Sequence, residues 1–175
     1  PLALVFAAPD IKSAVVCRLP MGARLRGEPA GDFLACAGGF VHARHLGRLP
    51  AAEPDPVAVA ERLIGAPYLW GGRGAGGIDC SGLVQLALGL CGHAAPRDTD
   101  LQRNQIGREL AAGEILHRGD LIFFPGHVGM MIDETRMIHA NAFWMAVTVE
   151  PLADIVARLA GTSADPILSR RRLQS

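Results

Sequence analysis

Residues 67–83 read Pro-Tyr-Leu-Trp-Gly-Gly-Arg-Gly-Ala-Gly-Gly-Ile-Asp-Cys-Ser-Gly-Leu, and the rest of the chain is interpreted from this stretch. Five glycines lie between Trp70 and Ile78, and a helical pattern of apolar residues begins at Cys80. A cysteine in the first turn of a helix lies beside unpaired backbone N–H groups and the positive end of the helix dipole. This position favours the thiolate, which is the reactive form of cysteine. The stretch therefore predicts that Cys80 is a nucleophile.

Composition indicates a globular protein with no electrostatic bias. The chain has 175 residues, is 50% hydrophobic and has a formal net charge of zero. This length suits one compact domain, or one domain with a small module. A neutral chain gives no reason to expect nucleic acid or an anionic membrane as partner, and no apolar run is long enough to span a bilayer. The composition says nothing about the oligomeric state.

The four cysteines, Cys17, Cys36, Cys80 and Cys91, are scattered without the spacing of a disulfide framework. They are expected to be reduced, which favours a cytoplasmic location. A signal peptide upstream of Pro1 would instead place the protein in the envelope or outside the cell. No close Cys-x-x-Cys pair is present for zinc, so no metal site is expected. No cofactor is expected either, because a cysteine nucleophile needs none.

Residues 1–49 contain short strand-like runs, one of them at Arg24–Arg26, separated by Gly and Pro turns, one of them at Pro29-Ala30-Gly31. This pattern predicts a small β-barrel. The segments 19–25 and 38–41 resemble a bacterial SH3-like domain. Residues 49–56 are a proline-containing linker, and residues 50–175 are predicted to form the second domain.

Helical patterns come first in the second domain, and strand patterns follow. This order predicts an α+β fold with helices packed on an antiparallel sheet. The predicted helices are Pro56–Ile64, Cys80–Leu90, Thr99–Ile106 and Pro151–Leu159. The predicted strands are Leu121–Phe124, Val128–Ile132, Arg136–Ala140, Met145–Glu150 and Pro166–Leu173.

Two histidines are candidates for the base that a cysteine nucleophile requires. His127 opens one predicted strand and His139 lies on the next. Side chains alternate along a strand, so a three-residue loop at 133–135 places both on one face, whereas a two-residue loop separates them. With the cysteine helix packed against that face, the order would be thiol, imidazole and a third polar group that orients the imidazole.

The glycine-rich stretch has a second interpretation. Residues 72–77 match G-x-G-x-x-G, and Asp98 follows at about the distance of a dinucleotide-binding fingerprint. However, no hydrophobic strand precedes Gly72 and no repeated βαβ units follow. A nucleotide-binding oxidoreductase is therefore disfavoured, and the glycines are interpreted as a tight loop beside Cys80.

The chain resembles the NlpC/P60 family of papain-like cysteine peptidases, which cut bacterial cell-wall peptides. Six blocks within about residues 56–150 keep the order of that family. The blocks are Pro67–Gly72, Asp79–Leu83, Pro96–Asp98, Gly119–Phe124, His127–Gly129 and Ile138–Ala140.

The resemblance implies a role for each matching residue. Cys80 would be the nucleophile, His127 the base and His139 the third polar residue. Tyr68 would lie beside the thiol and support the oxyanion or the substrate carbonyl. The remaining matching candidates would bind substrate: Asp79, Ser81, Trp70 and Arg97.

The family usually hydrolyses the bond between γ-D-glutamate and a diamino acid. In relatives that take peptides with a free N-terminal L-alanine, the residues flanking the cysteine hold the amine, which here are Asp79 and Ser81. Related SH3-like modules often wall off the substrate site, but Tyr68 is the only tyrosine. Phe33, Phe40 or an upstream domain would have to shape the pocket. The alternative within this resemblance is a module that binds murein peptides without cutting them.

Overall fold

The computed structural model describes residues 2–47, 49, 52–161 and 166–173. The chain divides into two compact units, residues 1–52 and residues 53–175. The assignment of residues 1–49 as an SH3-like domain stays a prediction, and so does the linker at 49–56.

The first unit is a five-stranded antiparallel sheet with the strand order β2-β1-β5-β4-β3. Its small core contains Val5, Phe6, Phe33 and Val41. A 3₁₀ helix at Ala43–His45 follows the last strand. The strands are β1 (Leu2–Phe6), β2 (Val15–Pro20), β3 (Gly27–Ala30), β4 (Phe33–Cys36) and β5 (Gly39–His42).

The predicted barrel is not confirmed, because β2 and β3 are the edges of this sheet and no closed barrel is found among the described residues. The predicted strand at Arg24–Arg26 is wrong, since the third strand is Gly27–Ala30. That strand contains Pro29, which the sequence placed in a turn. Proline is compatible with an edge strand because its missing N–H can face away from the sheet.

The second unit contains four α-helices among its described residues. They are α1 (Pro56–Glu61), α2 (Cys80–Leu90), α3 (Thr99–Gln105) and α4 (Leu152–Leu159). Asp55 caps the first of these helices by accepting a hydrogen bond from the Val57 N–H at 2.8 Å, with Pro56 at the first helical position. The predicted extension of α1 to Ile64 is wrong, because the chain leaves the helix after Glu61 and Ile64 is exposed.

The strands of the second unit form a six-stranded sheet and a separate short hairpin. The sheet order is β12-β11-β10-β9-β13-β8, and its neighbouring strands pair antiparallel, which agrees with the predicted α+β fold. Sequence reasoning missed the hairpin and β8. The strands are β6 (Arg73–Gly74), β7 (Gly77–Ile78), β8 (Arg108–Glu109), β9 (Leu121–Phe124), β10 (His127–Met131), β11 (Arg136–Asn141), β12 (Ala146–Pro151) and β13 (Ser169–Arg172).

The β10–β11 hairpin has the three-residue loop that places both histidines on one face. Met130 pairs with Ile138 and Met131 pairs with Met137, and the Ile132 N–H donates to the Arg136 carbonyl. This register gives residues 127, 131, 137 and 139 the same orientation, because side chains alternate along each strand. The prediction for the loop is confirmed.

The face that carries the histidines is partly covered by α4. Met131 and Met137 of this face form one buried cluster with Ile155 of α4, to which β9 contributes Ile122 and Phe124. Burial of such side chains stabilises the fold by roughly 1.5–3 kcal/mol each. The histidines therefore lie on a rigid, packed sheet. None of the described helices has the length and apolar character needed to cross a bilayer.

Candidate active site

Cys80 is the first residue of α2, and its thiol is enclosed by three hydrogen-bonding groups. The backbone N–H groups of Val128 and Ser81 donate to the sulfur. The Thr99 hydroxyl lies 3.9 Å from Sγ. Because Val128 directly follows His127, the sulfur contacts the start of β10 next to the candidate base.

The cysteine is held as a thiol rather than a thiolate. Burial raises the pKa of Cys80, and this effect outweighs the lowering by the Val128, Thr99 and Ser81 donors. The sequence predicted the opposite direction from the position at a helix start. That expectation is wrong for the resting protein because the side chain is only 5% exposed, and burial disfavours the charged form.

His127 and His139 form a direct hydrogen bond. His127 Nε2 lies 2.8 Å from His139 Nδ1, and the two rings meet edge to face with centroids 5.1 Å apart. Burial and, to a lesser extent, the neighbouring His139 lower the pKa of His127 to about 3, although Glu150 acts in the opposite direction. The His127 imidazole is therefore neutral near pH 7 and can accept a proton.

A buried carboxylate continues the chain behind the histidines. His139 Nε2 lies 2.8 Å from Glu150 Oε1. Arg158 of α4 also donates to Glu150, and its guanidinium lies 3.9 Å above the Phe143 ring. Burial alone would raise the pKa of Glu150, but hydrogen bonds from Arg158, Trp144 and His139 lower it to about 2. Glu150 is thus an ionised acceptor at neutral pH.

Burial lowers the pKa of His139, although its hydrogen bond to Glu150 acts to raise it. His139 is 1% exposed. The structure thus brings together three of the four predicted catalytic residues: Cys80 beside the start of β10, and His127 bonded to His139. Their catalytic roles stay predictions.

Tyr68 is near enough to Cys80 and Asp79 for their charges to act on its phenol, and its predicted support of the oxyanion stays a prediction. Its backbone N–H donates to the Met145 carbonyl, and it forms a bridge to Ile78 at the end of the glycine-rich loop. Burial raises the pKa of Tyr68, and the charges of Cys80 and Asp79 raise it further. The phenol is therefore neutral and remains a hydrogen-bond donor.

Asp79 is the N-cap of α2 and the centre of a dense polar network. Its Oδ1 accepts from the Gly82 N–H at 2.7 Å, and its Oδ2 accepts from the Gly71 N–H at 2.8 Å. Arg97 binds both oxygens, at 2.9 Å and 2.5 Å. Burial acts to raise the pKa of Asp79, but hydrogen bonds from Arg97, Gly82 and Gly71 lower it overall.

Ser81 and Arg97 belong to the same network. The Arg97 guanidinium donates to the Ser81 hydroxyl at 2.9 Å. Gln102 of α3 donates its side-chain N–H to the Ser81 carbonyl, also at 2.9 Å, and so ties α3 to the start of α2. Asp79, Ser81 and Arg97 therefore bind one another in this structure. Their predicted role in substrate binding stays a prediction.

Trp70 is 82% exposed, so it is a surface side chain rather than a core aromatic residue. The loop between β11 and β12 also exposes apolar side chains, at Phe143, Trp144 and Met145. The role of Trp70 in substrate binding stays a prediction.

The glycine-rich loop packs its backbone against the start of α2. A side chain at Gly82 would place its Cβ 2.5 Å from the Gly72 carbonyl oxygen, and one at Gly72 would approach the Gly77 carbonyl oxygen to 2.4 Å. Glycine at both positions permits this close approach. Arg73–Gly74 and Gly77–Ile78 pair as a small antiparallel hairpin, which differs from the strand–loop–helix unit of a dinucleotide site.

A cavity of about 270 Å³ adjoins the histidine pair. His127, His139 and Asn141 line one side, and Arg158 of α4 lines another. Its remaining walls are mostly apolar. Among the described residues no group of three His, Cys, Asp or Glu side chains is placed to hold a metal ion.

Sequence reasoning missed Glu150, Arg158 and Thr99. The signal for Glu150 was its charge at the end of the predicted strand that follows the strand of His139. His139 pairs with Thr148, which makes Glu150 its diagonal neighbour on the same face. The register that creates this contact depends on the β11–β12 loop, whose length the sequence did not define.

Comparisons with known proteins agree with this geometry. Residues 65–157 match the sequence profile of the NlpC/P60 family. Dipeptidyl-peptidase 6 of Lysinibacillus sphaericus is 36% identical over 110 residues, which cover 63% of this chain and 40% of that protein. Gamma-D-glutamyl-L-lysine dipeptidyl-peptidase of Bacillus cereus is 35% identical over 112 residues, which cover 59% of this chain and 32% of that protein. The chain thus spans less than half the length of these two relatives.

Solved structures extend the similarity. The peptidoglycan hydrolase RipB of Mycobacterium tuberculosis superposes with a TM-score of 0.56 at 30% identity, covering 69% of this chain and 64% of that one. An NlpC/P60 family protein from Bacillus cereus has a TM-score of 0.77 at 23% identity and covers 100% of this chain and 61% of that one. The second likeness concerns the fold alone.

Proposed function

Because the chain belongs to the NlpC/P60 family, we propose that it is a cysteine peptidase that hydrolyses bacterial cell-wall peptides. The observation that carries the proposal is the juxtaposition of a buried thiol at a helix start with a neutral, hydrogen-bonded histidine pair. The proposed bond is the one between γ-D-glutamate and a diamino acid, in short murein peptides with a free N-terminal L-alanine. The name of one relative, gamma-D-glutamyl-L-lysine dipeptidyl-peptidase, supports this bond type, and the name of another, dipeptidyl-peptidase 6, supports peptidase activity.

The proposed chemistry begins with proton transfer from Cys80 to His127. His127 Nε2 is bonded to His139, so Nδ1 is the nitrogen available to take the thiol proton. The sulfur then attacks the amide carbonyl, and the Ser81 N–H and the Tyr68 hydroxyl are the candidate donors to the oxyanion. The imidazolium returns its proton to the leaving amine, and water hydrolyses the acyl-enzyme.

A neutral thiol and a neutral imidazole fit this sequence of steps. The high pKa of Cys80 and the low pKa of His127 disfavour a resting ion pair. The proton is therefore transferred during the reaction rather than in the resting protein, and the resulting charges are stabilised by the donors around the sulfur and the carboxylate behind the histidines.

Recognition of the substrate amine by Asp79 and Ser81 is the finer part of the proposal. The Asp79 oxygens already accept hydrogen bonds from Arg97 and two backbone N–H groups. An ammonium group would therefore meet a carboxylate whose charge is largely balanced by Arg97. The SH3-like character of residues 1–49 and a cytoplasmic location belong to the same proposal.

The direct test is incubation with L-Ala-γ-D-Glu-L-Lys and with its meso-diaminopimelate counterpart, followed by mass spectrometry. Release of the diamino acid by the wild type, loss of release in Cys80→Ala and retention in Cys17→Ala are expected. Cys17 is a suitable control because it is an exposed cysteine in the first unit.

Each negative outcome has a defined meaning. No release from either peptide, by protein whose Cys80 reacts with a thiol probe, would refute the substrate. Full release by Cys80→Ala would refute the mechanism. Saturable binding of the tripeptide without turnover would favour the alternative of a murein-peptide binding module.

A further inference from the structure

The hydrogen-bond chain behind the thiol extends beyond the two histidines. His127 Nε2 lies 2.8 Å from His139 Nδ1, and His139 Nε2 lies 2.8 Å from Glu150 Oε1. Each link joins two heavy atoms that share a single proton. The protonation state at one end of the chain therefore decides which nitrogen carries the proton at the other end.

Glu150 is an acceptor because it is ionised. Arg158 donates to it, the Trp144 side chain adds a hydrogen bond, and its pKa of about 2 makes the protonated form about one part in 10⁵ at pH 7. An ionised carboxylate can only accept, so the proton in the link to His139 belongs to His139 Nε2.

The tautomer of His139 then determines that of His127. A neutral His139 with its proton on Nε2 presents a lone pair at Nδ1. The short contact with His127 must then be an Nε2–H donor from His127. This leaves the lone pair of His127 on Nδ1. The opposite tautomer would leave Nδ1 protonated and unable to act as a base.

We propose that Glu150 is a positioning residue that acts through His139 to hold His127 in the tautomer with a free Nδ1. This inference rests on the proposed function for its consequence in catalysis, whereas the tautomer itself can be measured without any substrate. Arg158 contributes by keeping Glu150 ionised and in place, and its contact with Phe143 fixes the guanidinium in turn.

Glu150→Gln is the informative substitution because glutamine has the same shape but can donate. If its amide donates to His139 Nε2, both tautomers invert and His127 loses its basic nitrogen. In a Ser-His-Asp triad the corresponding change of Asp to Asn lowers kcat by about 10⁴. Glu150 is one link further from the nucleophile, so we expect kcat to fall by about 10²–10³-fold with little change in KM.

The His139→Asn variant distinguishes a role of Glu150 through His139 from a merely structural role, because only the former makes the loss of kcat in Glu150→Gln depend on His139. In His139→Asn, the asparagine oxygen can accept from His127 Nε2 without help from Glu150. Adding Glu150→Gln to His139→Asn should therefore change kcat less than about threefold. Glu53→Gln is the matched control, since Glu53 forms a two-point ion pair with Arg62 on the surface.

The decisive measurement is long-range ¹H–¹⁵N correlation NMR on protein labelled in its histidine rings, with His127 and His139 assigned from single variants. In the wild type at pH 7 both rings should carry their proton on Nε2, and in Glu150→Gln the proton should move to Nδ1. A proton on His127 Nδ1 in the wild type, alone or together with one on Nε2, would overturn the proposal even if Glu150→Gln failed to fold.

Kinetics separate this result from the proposed function. An equal loss of kcat from Glu150→Gln in the wild-type and His139→Asn backgrounds would also refute a role through His139. Absence of hydrolysis of both tripeptides by the wild type would refute the proposed substrate, while the NMR result would still decide the tautomer.

Discussion

The ion pair between Asp79 and Arg97 should contribute measurably to the stability of the second unit. The Asp79 side chain is 9% exposed and that of Arg97 is 28% exposed. Breaking a fully buried pair costs about 3–5 kcal/mol, and an exposed pair is worth about 0–1 kcal/mol. For this intermediate case, Asp79→Asn should lower the free energy of unfolding by roughly 2 kcal/mol.

Asparagine can still cap α2 through its side-chain oxygen. The loss of unfolding free energy in Asp79→Asn therefore reports the effect of removing the charge alone. Asp79→Ala removes the cap as well and should lower the free energy of unfolding by about 1 kcal/mol more. Urea unfolding followed by far-ultraviolet circular dichroism is the assay, because the four described α-helices all lie in the second unit. Arg97→Met, alone and combined with Asp79→Asn, completes a double-mutant cycle.

The cycle also separates structure from substrate recognition. A coupling energy of about 1–3 kcal/mol is expected for two residues in direct contact. A value within about 0.5 kcal/mol of zero would refute the idea that Arg97 serves to balance Asp79. If Asp79 also holds the substrate amine, the wild type should discriminate against the N-acetylated tripeptide and Asp79→Asn should lose that discrimination.

Three further results are expected. Gly82→Ala should destabilise the protein by roughly 1–3 kcal/mol in thermal or urea unfolding, because the added Cβ would lie 2.5 Å from a backbone oxygen. Gly89→Ala in the same helix is the control: its Cβ would meet no atom within 4 Å, so it should be neutral or stabilising by up to about 1 kcal/mol. The rate of Cys80 alkylation by iodoacetamide, measured by peptide mass mapping, should still rise above about pH 9, and a plateau near neutral pH would contradict the raised pKa. The pKa of His127 is about 3 in the folded protein and about 6.5 in the unfolded chain, so its contribution to stability is complete above about pH 6.5 and is lost towards pH 3. His127→Asn should therefore remove about 1.4 kcal/mol per pH unit from the slope of unfolding free energy against pH in that window. An unchanged slope would count against the lowered pKa.

Much of the second unit could be predicted because its signals are local. The apolar pattern that begins at Cys80 predicted a helix from Cys80 to Leu90, and the structure has that helix. The strand Leu121–Phe124 was likewise predicted with its observed bounds. The first unit was predicted less well, because Pro29 reads as a turn residue unless its strand is known to be an edge.

The charge states of the candidate site could not be predicted in the same way. The helix start favours a Cys80 thiolate, yet burial raises the pKa of that thiol. Burial depends on what packs around the sulfur, including β10 and Thr99, which are far from Cys80 in the chain. A helix dipole is a property of a few consecutive residues, whereas desolvation is a property of the assembled fold.

The sequence by itself determined that a helix begins at Cys80, and it left two possible arrangements of the two histidines. The helix start follows from the apolar pattern of the sequence, whereas the three-residue loop that places both histidines on one face is a finding of the structure. Only the tertiary structure decided that Glu150 is hydrogen-bonded to His139 and that Arg97 binds the Asp79 carboxylate. These contacts depend on strand register across a longer loop and on segments 18 residues apart, which no local preference of the backbone specifies.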